Sequence, residues 1–166
     1  MSEFTVEGPY NIPIEKHPGG RTIPKDLGSF WTLTGNLGER RGCYVFAFRV
    51  GKGYKPVYVG KATKGFEQEC FAHHKIASHY YPALHRLANR PPVMFFICQE
   101  VRKGKPNESE IRDIESFLTK LAAAKNPDLS NVKGKKLPEW SIQGVVRSGK
   151  GKPTGAAKAL KKMLGL

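Results

Sequence analysis

The sequence predicts a mixed α/β (α+β) domain in which a small sheet is flanked by helices. Three short segments rich in β-branched and aromatic residues are the predicted strands: 43–48, 56–60 and 93–98. The first two are joined by a Gly-Lys-Gly turn and are expected to form a hairpin. Segments with helical spacing of apolar residues follow the second and the third strand. The order strand, strand, helix, helix, strand, helix is typical of a small mixed or antiparallel sheet with helices packed on it.

Residues 1–40 are predicted to form an N-terminal arm that packs on this domain. Gly8-Pro9, Pro18-Gly19-Gly20 and Pro24 interrupt the segment, so short strands and turns are its expected content. Four cations of this segment have two open roles, as further phosphate contacts or as surface residues of a packing segment: Arg21, Lys25, Arg40 and Arg41.

Two helices are predicted between the second and third strands, over 66–76 and over 82–88. Pro91-Pro92 ends the second of them, because proline cannot continue a helix. A longer helix is expected to begin at Asn107, an N-cap with Glu110 three residues on, as in a capping box. It ends near Lys125, before Asn126-Pro127.

Residues 132–166 are predicted to be a basic C-terminal extension. It contains a basic loop (132–138), a last short strand (140–146), a Gly/Lys linker (148–155) and a terminal helix (156–164). Apolar residues line one side of this helix and lysines the other. The predicted organisation is therefore an arm (1–40), a central domain (41–131) and this extension.

The charge of the chain favours a polyanionic partner. It has 28 Lys+Arg against 14 Asp+Glu, a formal net charge of +14 at pH 7. Such an excess repels itself in a compact protein and is typical of proteins that bind nucleic acid. Cations in the extension are predicted to contact phosphates without reading sequence: Lys133, Lys135, Lys136, Arg147, Lys150 and Lys152. The alternative is a solvated tail that only aids solubility.

The cysteines and the hydropathy of the chain indicate the cellular compartment in which it is expected to work. Cys43, Cys70 and Cys98 are odd in number and form no C-x-x-C pair, so neither a disulfide framework nor a zinc site is predicted. No basic region followed by an apolar run opens the chain, and no apolar stretch approaches membrane-spanning length. These features predict a cytoplasmic protein with no membrane contact. They leave the oligomeric state open.

Two tyrosines and one glutamate are candidates for chemistry. Tyr44 and Tyr58 fall on the two strands of the predicted hairpin, where two phenols can meet and one can accept a proton or orient water. Tyrosine is also common in strands for structural reasons. Glu115 falls inside the apolar stripe of its helix, where a carboxylate is costly unless it is paired or binds a metal. It is either a ligand for Mg²⁺ or a glutamate that reaches out to solvent.

The segment after the second strand supplies further candidates. The loop 60–65 lies between a strand and a helix, where backbone N–H groups and Lys61 and Lys64 can hold a phosphate. It lacks the spacing of a Walker A loop, and a solvated turn is the alternative. His73 and His74 follow on the helix, either as acid/base or phosphate-orienting groups or as ordinary structural histidines.

The order and spacing of these features resemble the GIY-YIG nuclease family. Gly42-Cys43-Tyr44 is followed by Tyr58-Val59-Gly60, then by a helix, then by a helical glutamate. The resemblance covers roughly 41–131. It implies a three-stranded sheet flanked by helices, and a divalent-metal-dependent endonuclease that hydrolyses phosphodiester bonds in nucleic acid, with DNA as the first candidate. The implied cofactor is Mg²⁺ or Mn²⁺, which neutralises charge on phosphate oxygens.

The resemblance also implies residue roles. Tyr44 would contact the nucleophilic or metal-bound water, and Tyr58 the scissile phosphate. His73, or His74 if the register shifts by one residue, would activate or orient water. Glu115 would bind a single Mg²⁺, and Asn131 would help to shape the site.

The chain departs from the family pattern at one position. Members carry an arginine on the helix after the second motif, where it clamps the phosphate bidentately. Glu69 aligns with that arginine, and no arginine occurs between Arg49 and Arg86. A carboxylate there would repel phosphate unless a second cation sits on it.

Three outcomes of this change remain open. A lysine can replace the lost cation: Lys61, Lys64 or Lys75. Glu69, His73 and Glu115 can instead hold the metal together, since the first two lie one helical turn apart. In the third outcome, catalysis is lost and a catalytically impaired nucleic-acid-binding protein remains. The enzyme hypothesis requires the tyrosines and Glu115 to converge on one metal-competent site.

Overall fold

The computed structural model describes residues 2–101, 104–126, 140–146 and 151–166. Its strands form a five-stranded mixed sheet, curled into a half-barrel, and a separate two-stranded sheet. In chain order the strands are β1 (Ser2–Asn11), β2 (Glu15–His17), β3 (Gly20–Thr22), β4 (Gly42–Val50), β5 (Gly53–Ala62), β6 (Pro92–Glu100) and β7 (Trp140–Ile142). The large sheet has the order β5-β4-β6-β1-β7, and all its pairs are antiparallel except β1–β7.

The small three-stranded sheet predicted from the sequence is wrong. The predicted strands lie within β4, β5 and β6, but the arm adds β1 and the extension adds β7 to the same sheet. The reason is the long apolar edge of β6, whose unpaired backbone groups need a partner strand. β1 supplies it and buries Phe4 and Val6. Its Gly8-Pro9 step coincides with an irregularity in the pairing between Glu7 and Tyr10, where a strand tolerates proline.

The helices are shorter and more broken than predicted between β5 and β6. In chain order, the α-helices of the described residues are α1 (Gly28–Leu33), α2 (Phe66–Glu69), α3 (His73–Lys75), α4 (Tyr81–Arg86), α5 (Glu108–Lys125) and α6 (Gly155–Leu164). A continuous helix over 66–76 is wrong, because the backbone at Ala72 is not helical (ψ 141°). A π-helical segment, Ile76–Tyr80, joins α3 to α4. Among the described residues, no helix has the length and apolar character needed to cross a membrane.

The sheet separates two apolar cores, so β4 is covered on both faces and is buried from Gly42 to Phe48. One core contains residues of α5, α6 and β7. The other contains residues of α1, α2 and α4, with the π-helical segment. The internal position of β4, between β5 and β6, is what fixes Tyr44 within the molecule.

The predicted starts of the two longer helices are confirmed. Asn107 Oδ1 accepts from the N–H groups of Ser109 (3.1 Å) and Glu110 (3.3 Å), which satisfies two donors at the start of α5. Gln99 replaces the expected capping-box contact, because it accepts from Asn107 N and donates to the Glu110 carboxylate (both 3.0 Å). Thr154 caps α6 in the same way. This anchoring sets the rotation of α5 that carries Glu115.

Candidate active site

The β4–β5 hairpin brings Tyr44 and Tyr58 together. Tyr44 lies opposite Gly60 and Phe46 opposite Tyr58, so both tyrosines project from the same face of the sheet. Their ring centroids are 6.2 Å apart. The Tyr44 ring lies across the bare backbone of Gly60: a Cβ at that glycine would be 2.4 Å from both Cζ and Oη of Tyr44. The glycine of the second motif is therefore required by the tyrosine of the first.

We expect Gly60→Ala to destabilise the protein by about 1–3 kcal/mol, the usual cost of forcing extra volume into a packed site. Gly53→Ala on the same strand is the matched control, because its new Cβ would meet nothing closer than 4.0 Å. Urea unfolding of both variants measures the difference. Equal losses of stability in both variants would show that β5 disfavours alanine at any glycine, and would contradict a specific clash with Tyr44.

Tyr44 carries a buried hydroxyl that has no hydrogen-bond partner among the described residues. The side chain is 0% exposed. Burial raises the pKa of Tyr44 far above its ordinary value, and the neighbouring Tyr58 raises it further. The Tyr58 and Tyr80 hydroxyls lie near enough to the Tyr44 hydroxyl for hydrogen bonding to affect the pKa values of all three phenols, but neither contact has the geometry of a formed hydrogen bond. An unpaired buried hydroxyl costs about 1–3 kcal/mol, so this donor needs a physical reason.

Lys75 lies over the Tyr44 ring, with its Nζ 5.2 Å from the ring centroid. The same Nζ donates to the backbone carbonyl of Glu69 (2.8 Å). Burial lowers the pKa of Lys75, while Glu69 and Glu115 partly offset that fall. A half-buried ammonium of this kind gains when an anion binds beside it.

Glu115 is paired with Lys61 across the edge of β5. The Lys61 ammonium donates to Glu115 Oε2 at 2.8 Å, and the two side chains are 38% and 23% exposed. This pair explains how a carboxylate is tolerated in the apolar stripe of α5. Burial raises the pKa of Tyr58 and the charge of Glu115 raises it further, which places this carboxylate near the tyrosines.

Glu69 is used inside the loop that follows β5. Its Oε1 accepts from the N–H groups of Thr63 (2.7 Å) and Lys64 (2.5 Å). These are amides of the loop that was predicted to hold a phosphate, so an internal carboxylate already occupies that position. Glu69, at the position where the resemblance implies an arginine, is therefore a loop anchor whose carboxylate is bonded to backbone N–H groups.

We expect Glu69→Ala to destabilise the protein by about 1.5–3 kcal/mol, because it removes two hydrogen bonds to a charged acceptor. Glu67→Ala is the matched control, since Glu67 is exposed on the same helix. That control should stay within about 0.5 kcal/mol of the wild type. Thermal or urea unfolding measures both values. A Glu69→Ala protein as stable as the control would contradict the anchoring role.

The histidine that reaches the tyrosines is His79, which sequence reasoning missed. Its ring stacks on Tyr58 with centroids 4.3 Å apart. Burial lowers the pKa of His79, and His74 and Lys75 lower it further. His73 and His74 are exposed at the start of α3, and none of the contacts among the described residues joins His73 to either tyrosine. The π-helical segment turns His79 toward β5, a feature with no sequence signal in this chain.

The described residues thus bring Tyr44, Tyr58, Lys61, Lys75 and Glu115 together; we call these five residues the tyrosine–lysine cluster. Lys64 has an exposed side chain. Several predicted substrate-binding residues lie outside the described residues: Asn131, Lys133, Lys135, Lys136 and Arg147.

The cluster can hold Mg²⁺ only through Glu115, as a single protein ligand. No group of three or more His, Cys, Asp or Glu side chains able to hold a metal occurs within the part of the chain that is described. Glu69, His73 and Glu115 therefore do not form the shared metal site that was one of the three expected outcomes. Mg²⁺ commonly takes one or two carboxylates and completes its shell with waters and phosphate oxygens. Glu115 fits as such a single ligand, with substrate phosphate as the second anionic group.

Comparison with known proteins adds no assignment. No protein-family model matches the chain, and no curated protein or solved structure matches it significantly. The GIY-YIG likeness therefore rests on the residues of the two motifs and on the cluster that they form.

Proposed function

We propose that the chain is a divalent-metal-dependent endonuclease that hydrolyses phosphodiester bonds in nucleic acid, with DNA as the first candidate, at the tyrosine–lysine cluster. One observation carries the proposal: the buried Tyr44 hydroxyl has no partner among the described residues, although ionic and phenolic groups surround it. A hydroxyl left unpaired at a cost to stability is typical of a site whose ligand supplies the missing acceptor.

The phenol of Tyr44 acts as a hydrogen-bond donor in this proposal. Burial raises the pKa of Tyr44, so the group keeps its proton at neutral pH. It can therefore donate to a phosphate oxygen or to an attacking water. Of the two roles expected from the sequence, this proposal keeps the orientation of water and drops the acceptance of a proton.

Lys75 supplies the cation that the family obtains from arginine. Its ammonium is half-buried beside the Tyr44 ring, and its pKa is lowered by burial. A phosphate placed there replaces the lost hydration of this charge. The carboxylate of Glu69 is bonded to the amides of Thr63 and Lys64, and its charge also partly offsets the fall in the pKa of Lys75.

Mg²⁺ or Mn²⁺, when bound, would neutralise phosphate charge and lower the pKa of a coordinated water. Glu115 is the residue that would hold it. Lys61 competes with the metal for this carboxylate and would have to move from its 2.8 Å contact. Once displaced, its ammonium remains within the cluster and can contact the same phosphate.

The Lys61–Glu115 ion pair also favours a second candidate function. A carboxylate that is already neutralised by an ammonium has no need of a metal, and the cluster then presents two lysines to a phosphate without cutting it. In that case the chain is a catalytically impaired nucleic-acid-binding protein.

Nicking of supercoiled plasmid distinguishes the two. We expect the purified protein to convert the plasmid to the open-circle form in Mg²⁺ or Mn²⁺ at low salt, and EDTA to stop the reaction. A gel shift on the same preparation detects binding without cleavage. A shift with no nicking in either metal would contradict the endonuclease proposal and support the binding protein.

A further inference from the structure

A basic cavity lies at the end of β4 opposite to Tyr44. Its volume is about 560 Å³, and it is bordered by the ends of β1 and β4, the β2–β3 hairpin and the segment 88–92. Four of its lining residues are cationic: Lys16, Arg21, Arg49 and Arg90. None of the described residues that line it is acidic. The charge of this cavity is therefore positive and uncompensated by its own walls.

Arg21 is fixed in place by the end of α4. Its Nη1 donates to the carbonyl of Arg90 (2.8 Å), and its Nη2 donates to those of Leu84 (3.2 Å) and Leu87 (2.6 Å). These bonds tie Arg21 to the last turn of α4 and to the segment that follows it. The Nε of the same guanidinium is buried and has no hydrogen-bond partner among the described residues. One charged donor at the cavity is thus held rigidly and lacks an acceptor.

The other three cations surround this fixed group. Lys16, Arg49 and Arg90 are exposed. The backbone N–H of Arg49 donates to the carbonyl of Pro91 (2.9 Å), which ties the end of β4 to the wall formed by the segment 88–92. The guanidinium of Arg49 lies 5.6 Å from the centroid of the Tyr54 ring.

We propose that this cavity binds a backbone phosphate of the nucleic acid whose scissile phosphate lies at the tyrosine–lysine cluster; the assignment deepens the proposed function and rests on it. Guanidinium groups are weakly hydrated and match phosphate geometry, which makes three of them around one cavity a phosphate site. The cavity lies about 17 Å along β4 from Tyr44, and the side chain of Arg49 projects from the face of the strand opposite to Tyr44.

Fluorescence anisotropy with a labelled DNA duplex, titrated at several salt concentrations, tests the assignment. The test variant is Lys16→Ala, Arg49→Ala and Arg90→Ala combined, which spares Arg21 and hence the end of α4. We expect weaker binding at low salt. The slope of log affinity against log salt should become shallower by about 0.9 for each phosphate that the variant no longer neutralises.

The matched control is Lys158→Ala, Lys161→Ala and Lys162→Ala combined. These lysines are exposed on α6, and their removal changes the net charge by the same amount. An equal fall in affinity in the two triple variants would show that the effect comes from net charge alone, and it would overturn the assignment. An unchanged affinity and slope in the cavity variant would also overturn it.

Two further arms separate this proposal from others. Titration with inorganic phosphate tests a small ligand: phosphate binding that is abolished in the cavity variant, together with unaltered duplex binding, overturns the nucleic-acid assignment. Plasmid nicking by the same proteins tests the proposed function. If the wild type binds duplex through the cavity but never cuts, the endonuclease proposal is contradicted and the cavity assignment is supported. If the wild type cuts and the cavity variant binds and cuts equally well, the endonuclease proposal is supported and the cavity assignment is contradicted.

Discussion

Tyr44→Phe is expected to lower the rate of plasmid nicking by about a hundredfold or more while leaving the protein at least as stable as the wild type. The ring is retained, so its packing against Tyr58 and Phe66 is preserved. Only the hydroxyl is removed, and that group has no partner among the described residues. Removing a buried donor without a partner releases its desolvation cost, which we expect to appear as a gain of about 1 kcal/mol in urea unfolding.

Tyr80→Phe is the matched control for this prediction. Tyr80 is equally buried, but its hydroxyl donates to the Cys70 carbonyl at 2.6 Å. We expect this variant to lose about 1 kcal/mol of stability and to keep most of its nicking activity. If Tyr44→Phe is destabilised to the same extent as Tyr80→Phe, then the Tyr44 hydroxyl has a structural partner and its proposed role is contradicted.

Lys75→Met is expected to reduce nicking by about a hundredfold and to weaken DNA binding, because it removes the cation assigned to the phosphate. Methionine keeps an unbranched apolar chain over the Tyr44 ring, so the fold should tolerate the change. The salt dependence of binding should become shallower by the equivalent of about one neutralised phosphate. Nicking rates and anisotropy measured on the same preparation check both effects.

Two variants make the Lys75 prediction specific. Lys75→Arg preserves the positive charge and presents a fork of donors that suits a phosphate, so it should retain more activity than Lys75→Met. Lys52→Met removes an exposed lysine from the β4–β5 turn and should have little effect on either measurement. Lys75→Met that behaves like Lys52→Met would show that Lys75 only supports the loop through Glu69.

The parts of the fold that follow from local sequence were predictable. The β4–β5 hairpin follows from two strand-forming segments around a glycine turn, and the start of α5 from Asn107. The facing tyrosines and the position of Glu115 in the stripe follow from strand and helix periodicity. These local signals were enough to locate four members of the tyrosine–lysine cluster on neighbouring elements, with Lys75 added as a substitute cation.

The parts that depend on distant pairing were not predictable. β1 pairs with β6 across some ninety positions of the chain, as in Thr5 opposite Cys98, and its proline suggests a turn when read locally. The partner of Glu69 depends on the conformation of the loop, in which Gly65 has a φ of +140°. The approach of His79 to Tyr58 depends on one π-helical segment.

The central claim is that Glu115 and the tyrosines form one phosphodiesterase site, and Glu115→Ala tests it most directly. Asp113→Ala, which removes an exposed carboxylate from the same helix, is the control. With Mg²⁺ at low salt, we expect the wild type and Asp113→Ala to nick supercoiled plasmid, and Glu115→Ala to shift the DNA on a gel without nicking it. Equal nicking by all three proteins would place the chemistry elsewhere, and DNA binding without nicking by all three would show that the cluster only binds.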